Sequence, residues 1–220
     1  MATNSSLFLC FFLLLLCFVN LCCCDPDPLQ DYCVANPKSS SMFFNGVACI
    51  NPNFATTAHF TTSALSKPGN TRNLFGFSVT ATNTDNLPGL NTLGLTLARI
   101  DLQAQGVVPL HSHPRASEIT ICLGGHIVVG FVDTSNRVFS KKIGGGESFV
   151  FPKGLLHFMY NDDSKNSAVA VSGLNSQNPG AQLTALAAFA SKPDIPPQVL
   201  KKSFQITDCD IARIRRSLGG

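Results

Sequence analysis

Charge is scarce in this chain of 220 residues: Asp, Glu, Lys and Arg together make up 13% of it, and the formal net charge is only +3. Basic residues gather only at Lys141-Lys142, Lys201-Lys202 and Arg213-Arg215-Arg216, so nucleic-acid binding gains little support. From Asp25 onward there is no Asn-X-Ser/Thr triplet, which argues against N-glycosylation of that part. Internal repeats and low-complexity segments are also missing, which argues against a solenoid or propeller. Long apolar runs are nearly absent. The one exception, Leu7 to Val19, falls within the charge-free segment 1–24. It is too short to span a bilayer comfortably and has the length of a signal-peptide core. Cys22 and Cys24 put small residues at the −3 and −1 positions before Asp25, so cleavage after Cys24 is expected; the lack of Lys or Arg ahead of the run leaves an uncleaved anchor as the alternative.

Cleavage would remove Cys10, Cys17, Cys22, Cys23 and Cys24 and leave Cys33, Cys49, Cys122 and Cys209. In an oxidising compartment Cys33 and Cys49 are the natural pair, enclosing a loop rich in Asn, Pro, Ser and Gly. Such a bridge would contribute roughly 3 kcal/mol; two free thiols are the alternative. The remaining chain, Asp25–Gly220, is long enough for one substantial core and too short for two, so a single domain over 25–220 is expected.

From Leu74 to Ser172 short β-like runs alternate with Gly, Pro, Asn and Asp: Leu93–Leu102, Glu118–Val132, Glu147–Phe151 and Ala168–Val171. This spacing predicts an all-β sandwich or barrel. The tail differs. Gln182–Phe189 reads as a short helix or strand, Pro193–Pro197 breaks it, and Val199, Leu200 and Phe204 form a small apolar stripe. A terminal helix is signalled by Thr207 as N-cap, Asp210 three residues on, and Ile211, Ile214 and Leu218 on one face. These helices are expected to cover a sheet edge or a neighbouring subunit, having little core of their own.

His111-Ser112-His113 is the strongest chemical signal. On a strand, alternate residues share a face, so both imidazoles can address one interior point. Pro114 interrupts pairing, and a hairpin-like turn would return Glu118 alongside them. His157 follows the turn Pro152-Lys153-Gly154 on an apolar strand, Leu155 to Tyr160. A His-X-His pair alone is commonly just two polar residues on a half-exposed strand. Adding Glu118 and His157 gives three imidazoles and a carboxylate, a donor set suited to Mn, Fe, Ni or Zn. His59 and His126 lack such partners and read as solvated or structural. Strand parity turns Cys122 inward with Glu118 and Thr120, but too far along the strand to be a ligand, so it reads as a buried free thiol. Cys209 has no obvious partner.

The segments Gly106–Gly124 and Gly146–Asn161, together with the start Asp25–Ala35 and the run Asn175–Gly180, resemble the plant germins and germin-like proteins of the cupin superfamily over essentially the whole of 25–220. The resemblance implies a cupin jelly-roll β-barrel with short C-terminal α-helices and one Mn ion per subunit on His111, His113, Glu118 and His157. It also implies a Cys33–Cys49 bridge, an extracellular, apoplastic or cell-wall location, and a homohexamer built as a trimer of dimers. Germins that oxidise oxalate hold it with two asparagines; the matching positions here are Ala98 and Val108, which carry no side-chain donors. The expectation is therefore a secreted manganese protein acting on superoxide as a dismutase, with a role in defence or wall redox chemistry. A wall-associated structural or receptor-like metal protein is the alternative, and oxalate oxidation or another small-molecule reaction such as nucleotide-sugar hydrolysis is less favoured.

Overall fold

The computed structural model describes residues 33–38, 42–43 and 46–219; the expected leader, residues 1–24, lies outside them. A ribbon of β1 (Met42–Phe43) and β2 (Gly46–Val47) precedes the barrel. It lies near the Cys33–Cys49 disulfide, which is formed.

The alternating runs fold as ten antiparallel strands in two facing sheets. In chain order they are β3 (Phe77–Ala81), β4 (Thr96–Leu102), β5 (Val107–Ser112), β6 (Glu118–Gly124), β7 (His126–Val132), β8 (Val138–Gly144), β9 (Ser148–Phe151), β10 (Leu156–Tyr160), β11 (Ala168–Leu174) and β12 (Gln182–Leu183). One sheet runs β12-β5-β10-β7-β8 and the other β3-β4-β11-β6-β9. The architecture is the all-β jelly roll. Alternate residues point inward: Ile100 and Leu102, Cys122, Ile127 and Val129, Met159, Ala168 and Ala170 meet Ile143 and Phe151 in one buried core.

Several boundaries are finer than the sequence pattern suggests. The run Glu118–Val132 is a hairpin, not one strand: it turns at Gly125, whose φ of +73° suits glycine and where a Cβ would meet the Ser167 carbonyl at 2.9 Å. β3 and β8 were not among the expected runs. β8 is exposed over most of its length, and its apolar Val138, Phe139 and Ile143 do not alternate around Ser140-Lys141-Lys142, so it lacks the period-2 signal of a strand. Gln182–Phe189 is both things at once, the strand β12 followed by α1 (Thr184–Phe189).

Two more helices follow, α2 (Pro197–Phe204) and α3 (Asp208–Ser217). Thr207 caps α3 in a capping box with Asp210, as its spacing predicts. The expectation that the tail lacks its own core needs correction. Phe189, Leu200 and Ile211, one from each helix, are buried against one another, with Ile214 and Leu218 packed around them. The α2 stripe splits: Leu200 is buried, whereas Val199 and Phe204 remain about half exposed. Among the described residues no helix is long and apolar enough to cross a membrane.

Candidate metal centre

The site begins with a local irregularity. β10 pairs with β5 so that His157 lies opposite His111 and Met159 opposite Val108, a register shift of one residue on the β5 side. Strict alternation would put Val108 and His111 on opposite faces; the bulge leaves both buried on the inside of the barrel. Pro109 sits within the bulge, where its missing N–H costs no ladder bond. β12 covers β5 only at Ser112 and His111. His113 follows the end of β5, and Glu118 opens β6 on the other sheet, opposite Phe151 and Leu174.

These elements bring His111, His113, Glu118 and His157 together with one ligand atom from each within 4.8 Å of the others. Ring centroids are 4.0 Å apart for His111 and His157, and about 5 Å for the other two pairs. Phe151 stacks on His157 at 4.6 Å from inside the barrel. His157 and Glu118 are almost wholly buried, and His111 nearly so.

Each ring is held by its outer nitrogen. Nδ1 of His111 donates to the Pro109 carbonyl and Nδ1 of His157 to the Leu155 carbonyl, both at 2.8 Å. Nδ1 of His113 donates to the carbonyl of Gly180. With the proton fixed on Nδ1, every Nε2 presents a lone pair to the cluster. Glu118 Oε1 accepts from the Thr120 hydroxyl at 2.9 Å, and that hydroxyl also pairs with Ser172. Oε2 is left facing the rings, 2.9 Å from His113 Nε2 and 3.5 Å from His157 Nε2. Glu118 Oε2 and His157 Nε2 are buried and form no hydrogen bond. Buried polar atoms are rarely left so. A cation among four lone-pair donors removes the anomaly, so the residues fit a metal; the donor set suits a borderline or hard divalent ion.

Electrostatics supports the same view. Burial, reinforced by the neighbouring His157, pulls the His111 pKa down to about 4. Burial opposes charge on His113 as well, but its contact with Glu118 prevails and raises its pKa. For Glu118 burial again works against ionisation and is outweighed by the polar His113 and His157 rings that face it and by Ser172, so its pKa is lowered. The carboxylate is thus anionic in a nearly dry setting.

The expected bystanders lie elsewhere. His59 Nδ1 accepts from the Thr56 amide at 3.0 Å in a capping role, and His126 is exposed at the start of β7. Cys122 is a buried free thiol within the core, and Cys209 an exposed one. Ala98 and Val108 line a cavity of about 440 Å³ that opens onto His111, His113 and Glu118.

The sequence reading did not pick out the groups that orient the ligands. Two of them had a local signal, since His111 and His157 each bond the carbonyl two residues before them. Thr120 shares a strand face with Glu118. Gly180 and Ser172 had none, lying 67 and 52 residues from their partners.

Comparison with known proteins gives a consistent result. The family model described as cupin matches residues 63–211. The chain is 58% identical over 199 residues to Germin-like protein subfamily 1 member 1 of Arabidopsis thaliana, an overlap of 89% of this chain and 92% of that one. It is 50% identical over 209 residues to Germin-like protein 3-1 of Oryza sativa subsp. japonica, covering 92% and 93%. A solved structure of oxalate oxidase superposes with a TM-score of 0.85 at 38% identity, covering 89% of this chain and 98% of that one.

Proposed function

We propose, from the premise that this chain belongs to the germin-like proteins of the cupin family, that it is a secreted manganese protein of the plant apoplast with superoxide dismutase-type activity. One observation carries the reading: four donor atoms converge, two of them buried without a hydrogen bond, beside a cavity where Ala98 and Val108 offer no side-chain donor. His111, His113, Glu118 and His157 would hold one Mn ion per subunit. Once bound, that ion supplies one-electron chemistry, by which one superoxide is oxidised to dioxygen and a second, with two protons, is reduced to peroxide.

The chain's own contribution is positional and electrostatic. The three Nδ1 bonds keep every Nε2 aimed at one point without reorganisation. Glu118, held ionised, offsets one positive charge and favours the higher oxidation state. Thr120 and Ser172 fix which carboxylate oxygen faces the rings. Nothing larger than superoxide has to be recognised for this chemistry. Oxalate, by contrast, would place a second carboxylate against Ala98 and Val108, where each missing charge-assisted hydrogen bond forgoes about 1.5 to 3 kcal/mol.

A structural role for the metal has its own support, because His111 and His157 come from one sheet, His113 from the segment just beyond it and Glu118 from the other sheet, so an ion would tie the two sheets together. Superoxide loss with Mn-loaded protein, run beside a His111→Ala/His113→Ala control, separates the readings; equal rates would sink the dismutase. N-terminal sequencing of the secreted form tests the leader, with Asp25 expected first.

Self-association as a hexamer, a trimer of dimers, belongs to the same proposal. Its support is a row of outward side chains across four adjacent strands, Leu97, Gly173, Ile119 and Val150. The three large ones are each about half exposed. They line an outer groove of about 1130 Å³ together with Leu65, Leu87 and Leu95. Ile119→Lys is expected to shift sedimentation toward smaller species.

A further inference from the structure

Three of the four ligands sit on strands and one does not. His111 and His157 lie opposite each other in β5 and β10, and Glu118 opens β6, so ladder hydrogen bonds place them. His113 follows the end of β5. Its backbone is tied by the Gly154 amide, which donates to the His113 carbonyl at 3.0 Å. That bond leaves the ring free to turn about its side-chain torsions. What fixes the ring on its outer side is Nδ1 donating to the Gly180 carbonyl. The aim of His113 Nε2 therefore depends on where Gly180 lies.

Gly180 belongs to the irregular segment 175–181 between β11 and β12. Several elements fasten the first half of this segment. Asn175 Oδ1 accepts from the Ser117 amide, the Ser176 carbonyl from the Thr96 hydroxyl, and Gln177 Oε1 from the Thr92 amide. At Asn178 and Pro179 the fastening passes to one residue outside the segment. Arg115 Nε donates to the Asn178 carbonyl at 2.6 Å, its Nη2 to Asn178 Oδ1 at 2.9 Å, and its backbone N–H to the Pro179 carbonyl at 3.1 Å. Nε and Nη2 share one edge of the guanidinium, so the fork grips both oxygens of a single residue. Gly180 then lies close against the same side chain: its φ is +70°, and a Cβ there would sit 3.0 Å from Arg115 Nη2.

We infer that Arg115 is a positioning residue for the metal: by holding Asn178 it fixes the Gly180 carbonyl, and through that carbonyl the direction of His113 Nε2. The inference rests on the metal reading above and adds to it a residue that contributes no ligand atom to the cluster. Charge gives it a sign. A guanidinium near a cation site repels the cation, so on charge alone the removal of Arg115 would tighten metal binding. A positioning role predicts the opposite. Arg115 and Asn178 are both exposed, so substituting Arg115 opens no cavity in the core.

Mn(II) titration of the purified protein, followed by paramagnetic resonance, tests it in Arg115→Ala, Arg115→Lys, His113→Ala and the Arg115→Ala/His113→Ala pair. Arg115→Ala is expected to lower Mn affinity about tenfold, the lower end for a group outside the coordinating set, and to change the spectrum of the metal-saturated protein. Arg115→Lys keeps the charge but brings one point donor where the fork made two bonds, so a loss of about threefold is expected. In the His113→Ala background the Arg115→Ala step is expected to cost less than about twofold, because the ring it acts through is gone. Unchanged or tighter binding by Arg115→Ala overturns the inference, as does full affinity in Arg115→Lys. So does an equal loss with and without His113, or an unchanged spectrum at saturation, since Arg115 then supports the fold and not the ring. Where the double variant binds too weakly to titrate, the spectrum of Arg115→Ala decides. Wild-type protein that takes up no Mn sinks the metal reading, and this inference with it, before any variant is compared. Mn uptake without superoxide loss sinks the dismutase alone.

Discussion

The floor and the wall of the cavity are built on opposite principles within a few residues of each other. On the floor every polar group has an assigned neighbour: Nδ1 of each histidine on a carbonyl, Glu118 Oε1 on Thr120, and Thr120 in turn on Ser172. Only the inward-facing lone pairs are left over. On the wall, Ala98 and Val108 present no polar atom at all. The lesson is that charge in this barrel is confined to one point. The floor holds the charged groups and the wall beside it is chiefly apolar, so chemistry at the floor and selectivity at the wall should be separable by mutation.

The largest effect expected is at the floor. His111→Ala/His113→Ala should lower Mn affinity by well over about 100-fold, since even partners outside the coordinating set typically cost about 10- to 100-fold. Elemental analysis after dialysis checks this, and retention of metal would break the distinction at once.

Acid should act on the floor and spare the wall. The pKa of His113 is raised by its contact with Glu118, so protons compete with a metal for its Nε2 more strongly than at an ordinary imidazole. Apparent Mn affinity should therefore fall, by up to about tenfold per pH unit, as pH drops through the imidazole range, near 6.5 for an ordinary ring. Below about 4 the fall steepens as His111 also takes up a proton. The sign for stability agrees: the folded-state pKa of His111 lies below its ordinary 6.5. The unfolded chain therefore binds that proton first, and the contribution present above 6.5 is lost progressively as pH falls toward 4. Metal content measured from pH 7.5 to 3.5 gives the curve; a flat line would contradict proton competition.

At the wall, Val108→Asn should leave metal content intact but lower folding stability by about 1 to 3 kcal/mol, because its amide finds no partner there. Urea denaturation of the metal-loaded protein reads it. Thr120→Val returns to the floor with a smaller change. Freeing Oε1 of Glu118 should cost about tenfold in Mn affinity, read by elemental analysis after dialysis. If Val108→Asn removed the metal as effectively as Thr120→Val, floor and wall would be one unit, not two.

Much of the site was legible because its signals are local. His111, His113 and Glu118 lie within one turn of chain, and Pro152-Lys153-Gly154 announces the strand that carries His157. The Thr207 cap and the Ile211–Ile214–Leu218 face likewise follow from spacing within a single helix. The exposed strand β8 was not legible, since only Ile143 of it is buried and its apolar residues do not alternate. Nor was the shared helical core, because Phe189, Leu200 and Ile211 are each too isolated in sequence to mark a cluster.

By itself the sequence determined the donor chemistry, the barrel class and the apolar side chains of Ala98 and Val108, because residue type and short-range periodicity act through local geometry. Tertiary structure decided the rest. The bulge puts Val108 on the same side as His111, the register sets His157 opposite His111, and the closing of one sheet over the other brings Glu118 to them. Pairing register and sheet closure depend on hydrogen bonds between residues tens of positions apart. No short window of sequence contains both partners of such a bond.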